Sequence, residues 1–336
     1  CSVPDNLPSL KNMNREIRTM AEELTAMRNT PVFDESYFGP VMFEGQAVAE
    51  FFAQRLFMGK RGLLAYRKPV TSDTGSTYRR AQDETLDDRF DRRILSRDIT
   101  IKALPGLKEF QGQKLIGSYP VDMEGVKPPE EVVLVENGIL KTLLTNRTPT
   151  RRVRKSNGHQ RPVISGSWTS NILGPSVISV ASSNGKSRAE LKKELLRRAR
   201  EEGMEYGILV RKLKPSTTGA QYTDPMVRMT TSYGGRDGTT LSEPILVYRV
   251  YVEDGREELI RSVSLDAISL GTLRHIAGMT RKQAVHNTLA TVNYSTGIPA
   301  SFIVPEALLL EELEVKKEMR DFTPRLPEVP GPLTQK

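Results

Sequence analysis

The stretch Glu131-Val-Val-Leu-Val-Glu-Asn-Gly-Ile-Leu-Lys-Thr-Leu-Leu144 decides the class of fold. Two β-rich runs flank Asn137-Gly138, a dipeptide that supplies the positive φ angles a tight hairpin turn needs. A second hairpin reads from Ile245-Leu-Val-Tyr-Arg-Val-Tyr-Val252 through Glu253-Asp-Gly255 into residues 256–263. There Leu246, Tyr248, Val250 and Val252 alternate with Val247, Arg249 and Tyr251, as a sheet with two unlike faces requires. Between the hairpins, residues 187–202 read as a helix. Ser187 can cap it, Leu191, Leu195 and Leu196 form its apolar stripe, and Gly203 can end it.

Working outward, Pro40-Val-Met-Phe43 reads as a strand and residues 45–58 as a helix with Val48, Phe51, Phe52 and Leu56 on a wide apolar face. Residues 59–90 are polar and predict a long loop with a short helix near 83–90. Strands are expected over 93–104, 206–213, 301–304 and 307–315, and a short helix over 271–279. No internal repeat or strand–helix alternation is present, which excludes Rossmann and TIM-barrel architectures. The expected fold is α+β, a largely antiparallel β-sheet domain with a few flanking helices.

Composition narrows the function. The chain has 336 residues, a formal net charge of +8 and one cysteine, Cys1. One thiol excludes an internal disulfide framework and a Cys-rich zinc module. Six basic residues, Arg147, Arg151, Arg152, Arg154, Lys155 and Arg161, lie in one segment with no acid among them, and removing them leaves +2 for the rest. One cluster on a nearly neutral body is unlike the spread charge of a chain built to coat nucleic acid. Neither aromatic interleaving nor a groove-reading helix accompanies the cluster.

The ends have their own character. Cys1 would suit a lipidated, exported N-terminus, the one route to a membrane that the sequence suggests; otherwise a cytoplasmic location is expected. Ile17, Met20, Ala21, Leu24 and Met27 predict a helix over about 10–28. Pro324, Pro327, Pro330 and Pro332 mark an extended tail. The expected division is an extension and helix over 1–34, one domain over 35–316 and a Pro-rich tail over 317–336.

Familiar catalytic signatures fail. His159, His275 and His286 form no pair with metal-ligand spacing. Asp73-Thr-Gly-Ser76 copies the aspartic-protease string once, without its apolar strand or second copy, and reads as a polar turn. Tyr233-Gly-Gly-Arg-Asp-Gly238 lacks the Lys-Ser/Thr of a phosphate-binding loop. No Gly-x-Ser-x-Gly elbow occurs.

Four segments, in order, resemble the C-terminal domain of the TldD/PmbA family, long described as modulators of DNA gyrase. They are residues 39–52 (Gly-Pro-Val-Met-Phe-Glu-Gly-Gln-Ala-Val-Ala-Glu-Phe-Phe), the hairpin over 133–142, and Ser295-Thr-Gly-Ile-Pro-Ala-Ser301 with Leu308-Leu-Leu-Glu-Glu-Leu313. The resemblance implies a scaffold that pairs as a homo- or heterodimer. One subunit type is a zinc peptidase acting on unfolded or modified peptides, and its partner type lacks the metal. The active type carries His-Glu-x-x-x-His after the Gly-Pro strand and a later Cys ligand. Those helix positions fall here on Gly45, Gln46 and Glu50, and no Cys stands near residues 294–297.

The resemblance therefore implies the scaffold without its zinc: no catalytic residue, no cofactor, and a role in binding peptide or a TldD-like subunit within a proteolytic assembly. Arg151, Arg152, Arg154, Asn157, Gly158 and His159 are the candidate peptide- or partner-binding residues, in the segment where the family's cleft lies. Two other readings remain. One is an active peptidase with an atypical zinc site using Glu44 or Glu50 and completed by a partner. The other is a nucleic-acid-linked regulator.

Overall fold

The computed structural model describes residues 7–28, 30–57, 62–65, 86–165, 168–215, 241–292 and 295–318. The strings at 73–76 and 233–238 and the Pro-rich tail lie outside them.

The core forms around a helix with almost no polar surface. β1 (Tyr37–Glu44) runs into α2 (Gln46–Phe57), in which every residue from Ala47 to Phe57 except Gln54 is buried. A helix buried all round needs apolar layers on both sides, and two sheets provide them. One contains β1, β10 (Tyr206–Leu213), β11 (Pro244–Tyr251), β12 (Glu257–Ile260), β13 (Val263–Leu265), β14 (Ile276–Met279) and β17 (Ala307–Lys317). Its order is β12-β11-β10-β1-β17-β13, with β14 also on β17. The other contains β2 (Ile99–Ala103), β5 (Val132–Glu136), β6 (Ile139–Leu140), β9 (Val177–Ser182), β15 (Gln283–Val292) and β16 (Ser295–Pro305), in the order β15-β16-β9-β2-β5-β6. Two small ribbons complete the strands: β3 (Glu109–Phe110) with β4 (Gln113–Lys114), and β7 (Gln160–Ser165) with β8 (Trp168–Leu173).

Pairing is antiparallel except for β1 with β10 and β16 with β9. The fold is thus α+β and mainly antiparallel, as the hairpins predict.

Aromatic contacts join the layers. Phe43 of β1 meets Phe51 of α2 at 5.2 Å between centroids, and Phe57 at the end of α2 meets Phe302 of β16 at 5.7 Å. The outer face of the first sheet is closed by α3 (Arg188–Glu201), where Leu191 and Leu195 pack on Met42, Leu209 and Leu309. Val41, Phe43, Ile208, Val210, Leu308 and Leu310 face the other way, into the main core. These central strands are covered on both faces, so they read as continuous apolar runs.

Local signals behave as their chemistry demands. Asn137 and Gly138 have φ of 49° and 78°. A Cβ on Gly138 would stand 2.5 Å from the Leu95 carbonyl oxygen, so glycine serves there for clearance as well as for the turn. Ser187 caps α3 and forms a capping box with Glu190. The expected helix over 271–279 divides into α4 (Leu270–Arg274) and β14. The expected strand over 93–104 shortens to β2, and the expected helix near 83–90 is a single 3-10 turn over Leu86–Arg89. α1 (Leu10–Arg28) has the expected bounds but buries no residue.

Truncating a side chain between the layers should be costly. Phe52→Ala is expected to destabilise by about 3–5 kcal/mol, read as a fall in the denaturant midpoint. A loss under about 1 kcal/mol would show that α2 is not packed from both sides.

Candidate functional site

α2 carries one polar stripe: Gln46, Glu50 and Gln54, at i, i+4 and i+8 on a single face. Each is tied to a different neighbour. Gln46 Nε2 donates to the Leu213 carbonyl at 2.9 Å, and the Leu213 N–H donates to Gln46 Oε1 at 2.8 Å. The amide imitates a strand backbone and holds the end of β10. Gln54 Nε2 donates to Glu50 Oε2 at 2.7 Å and to Ser242 Oγ at 2.8 Å, and Gln54 Oε1 accepts from the Ser242 N–H at 2.7 Å.

Glu50 itself is fully enclosed. Its Oε1 has no hydrogen-bond partner among the described residues and lies 3.5 Å from Nε2 of His286 on β15. A buried carboxylate needs a compensating partner, and the His286 imidazole is the nearest such group among the described residues. His286 and Gln54 are absent from the sequence-derived candidates. The four-residue spacing of the stripe was readable in the sequence; the approach of β15, more than 200 residues along the chain, was not.

Zinc is tested against these groups. It takes three or four N, S or O donors at about 2.0–2.3 Å. Among the described residues no cluster of three His, Cys, Asp or Glu side chains exists. Gln46 is occupied by backbone, and Gly45, at φ 58°, precedes the helix and offers no donor. At Gly297, near which the family's third ligand would come, a Cβ would lie 2.1 Å from the Ile164 carbonyl oxygen, leaving no room for a side chain. Glu44 is saturated: Arg188 reaches its two oxygens at 2.6 and 3.1 Å, and Arg211 takes Oε2 at 3.1 Å. Arg211 continues to Glu257, which also holds Lys192. Among the described residues the set does not fit a zinc ion.

The second candidate region is the loop after β6. Arg151, Arg152, Arg154 and Lys155 are exposed, and their side chains have no acidic partner among the described residues. The loop beneath them is tightly held. Asn157 Oδ1 accepts from the Thr145 N–H at 2.7 Å, Asn157 Nδ2 donates to the Leu143 carbonyl at 2.8 Å, and Thr150 Oγ1 donates to Asp87 at 3.2 Å.

Gly158 and His159 are buried, and His159 has no exposed surface. Its Nδ1 is 2.9 Å from both Asn157 oxygens, which can only accept, so Nδ1 carries the proton and Nε2 accepts from Ser176 Oγ at 3.2 Å. Burial, opposed by the Asn157 carbonyl and aided by Arg161, pushes its pKa down to about 3. His159 is thus a neutral strut inside the loop. The accessible part of the candidate set is the arginines.

Arg161, counted with the cluster in the sequence, belongs to the interior. It is 3% exposed, stacks on Tyr119 at 3.8 Å, and donates to the carbonyls of Pro299 at 2.9 Å and of Gly117 and Pro175 at 3.3 Å. Burial lowers its pKa to about 10, which leaves it charged at neutral pH. Tyr119 in turn donates to the Gly158 carbonyl at 2.7 Å. One buried cation therefore ties the loop to β16.

Fold and site together define a mainly antiparallel α+β protein whose buried central helix carries a polar stripe tied to its neighbours. The chain belongs to the PmbA/TldA metallopeptidase C-terminal domain family, whose model matches residues 35–317. Among solved structures it is similar to a candidate modulator of a DNA gyrase from Thermotoga maritima, at 18% identity and a TM-score of 0.54, over 93% of this chain and 56% of that one. It is also similar to TldE from Thermococcus kodakarensis, at 16% identity and a TM-score of 0.51, over 89% of this chain and 55% of that one. The chain therefore spans little more than half the length of these structures. No curated protein matches it.

The buried imidazole makes a pH prediction. Unfolded, His159 takes a proton near pH 6.5; folded, it stays neutral down to about pH 3. Its contribution is fully present above pH 6.5 and falls as the pH drops toward 3. Between pH 6.5 and 5 the wild type should lose about 1 kcal/mol more per pH unit than His159→Gln, read from denaturant midpoints. Equal slopes would place a protonatable, solvated His159 in the fold.

Proposed function

We propose that this chain is a non-metal member of its family that binds an extended peptide or a peptidase subunit without cutting it. The observation that carries the reading is Gln46. An amide stands where the family's active type has its base, and both ends of that amide are bonded to the Leu213 backbone. An amide has no lone pair basic enough to take a proton from water at neutral pH. What the scaffold retains is backbone and charge. β15 is an edge strand of ten residues, paired among the described residues with β16 alone, and such an edge can add a peptide strand through main-chain hydrogen bonds. Arg151, Arg152 and Arg154, on an anchored loop, suit a carboxylate: a peptide C-terminus or an acidic partner face. The role is one of capture and presentation in a proteolytic or peptide-maturation assembly, as a homo- or heterodimer.

A second reading has its own observation. The orphaned Glu50 Oε1 facing His286 supplies two donors, so an atypical metal site would need further ligands from a partner. Nucleic-acid regulation has no comparable support: the exposed cluster is local and the rest of the chain nearly neutral.

The test is fluorescence anisotropy with a labelled random-coil peptide bearing a free C-terminal carboxylate, beside its amidated twin. The wild type should prefer the carboxylate, and Arg151→Ser/Arg152→Ser/Arg154→Ser should weaken binding by about tenfold or more. The same affinity in the triple variant, or no preference between the peptides, would remove the arginines from the reading.

A further inference from the structure

The β7–β8 ribbon and the loop beside its start hold apolar side chains out in water on a frame that cannot draw them in. Along β7, Arg161 and Val163 turn inward and are buried, so Pro162 and Ile164 face the other way, and Ile164 is 60% exposed. The end of the ribbon sits hard on β16, where a Cβ at Gly297 would lie 2.1 Å from the Ile164 carbonyl oxygen. At its start stand Val121 and Met123, 48% and 53% exposed. They flank Asp122, whose buried carboxylate accepts from the N–H groups of Glu124 at 2.9 Å, Val126 at 2.8 Å and Gln160 at 3.2 Å. The Met123 N–H donates to the Gln160 carbonyl at 2.9 Å. Glu124 Oε2 accepts from the Arg147 N–H at 2.7 Å, which ties this loop to the foot of the basic loop. The Arg147 side chain is exposed and has no acidic partner among the described residues.

We propose that Val121, Met123 and Ile164 form an apolar shelf that selects the captured peptide: one with large apolar side chains at and just before its C-terminus. The inference rests on the capture reading above and names the class of peptide that is captured. Its basis is complementarity. A shelf of apolar side chains that ends at unpaired cations matches a chain that carries apolar side chains and ends in an anion. The spacing adds a pattern. Met123 is fastened at Gln160, and Ile164 lies four residues further along β7, roughly 13 Å at the rise of a strand. An extended peptide covers that span in four residues and turns side chains four apart to the same side. A terminal apolar residue on Met123 therefore sets another, four residues earlier, on Ile164. Asn171, exposed on the same ribbon face opposite Pro162, accepts from Gln160 Nε2 at 2.6 Å through Oδ1, and its Nδ2 is left to donate to a peptide carbonyl. Such amides between the apolar positions suit a peptide backbone better than a lipid surface, which takes an unbroken apolar face.

The probe is a labelled random-coil peptide ending in Leu-Ser-Ala-Ser-Leu with a free carboxylate, beside a twin ending in Ser-Ser-Ala-Ser-Ser. Binding to the whole 336-residue chain is read by fluorescence anisotropy. The wild type should bind the Leu peptide about tenfold or more tighter than its twin. Met123→Ser/Ile164→Ser should bring the Leu peptide down to the affinity of the twin and leave the twin unchanged. Far-UV circular dichroism and thermal midpoint should stay as in the wild type, because neither side chain is buried. Phe38→Ser, at an equally exposed apolar residue of β1, should keep the wild-type preference. Equal affinity for the twins, with the carboxylate still favoured over the amide, overturns the shelf and leaves capture standing. Binding of neither peptide sinks capture, and the shelf with it. A preference that survives Met123→Ser/Ile164→Ser overturns the placement. Flotation with phosphatidylcholine/phosphatidylglycerol vesicles that is lost in the same variant would assign these residues to a lipid surface and overturn the proposal as well.

Discussion

The structure depends on α2 being covered on both sides. A helix whose residues from Ala47 to Phe57 are buried except for Gln54 has no solvent face, so each sheet must bring an apolar surface to it. That requirement sets the layer order: α3, the β1 sheet, α2, then the β15–β16 sheet. It also explains why β1, β10 and β17 are apolar on both faces, and why Phe43–Phe51 and Phe57–Phe302 contacts occur at the two boundaries.

In such a setting a polar residue must find partners or be costly. Gln46 and Gln54 find theirs at the end of β10 and at Ser242, and Glu50 is held at one oxygen by Gln54 while the other faces His286 of β15. Gln46 shows this most clearly. An amide offers a donor and an acceptor, which a strand terminus needs together; a carboxylate would turn an oxygen toward the Leu213 carbonyl and lose that bond. The same position cannot serve as a base and as this strap. The basic loop follows a similar division. His159, Asn157 and Arg161 are spent on holding the loop, and this fixed frame leaves Arg151, Arg152 and Arg154 facing outward.

The legible parts of the fold were those with local causes. Asn137-Gly138, the Ser187 cap and the apolar β1–α2 run state their structure within a dozen residues, and the bounds of α1 and β10 follow from periodicity alone. β7, β8 and β15 went unread because they form hairpins with the neighbouring strand without a strong alternating pattern, and β9 because pairing with the distant β2 and β16 makes it a strand. The burial of His159 and Arg161 was hidden for a related reason. Their cage comes from Tyr119, Ser176 and Pro299, which no spacing rule connects. The apolar face of α1 was visible in the sequence, but that none of its residues is buried among the described residues is a property of the folded chain.

The proposal that α2 holds no catalytic metal is tested most directly by elemental analysis. The protein would be purified without chelator or affinity-tag nickel, alone and with any co-purifying subunit. The account predicts no stoichiometric metal in this chain in either state. One zinc per chain, lost on Glu50→Gln or His286→Ala, would contradict it and make Glu50 and His286 ligands of a working centre.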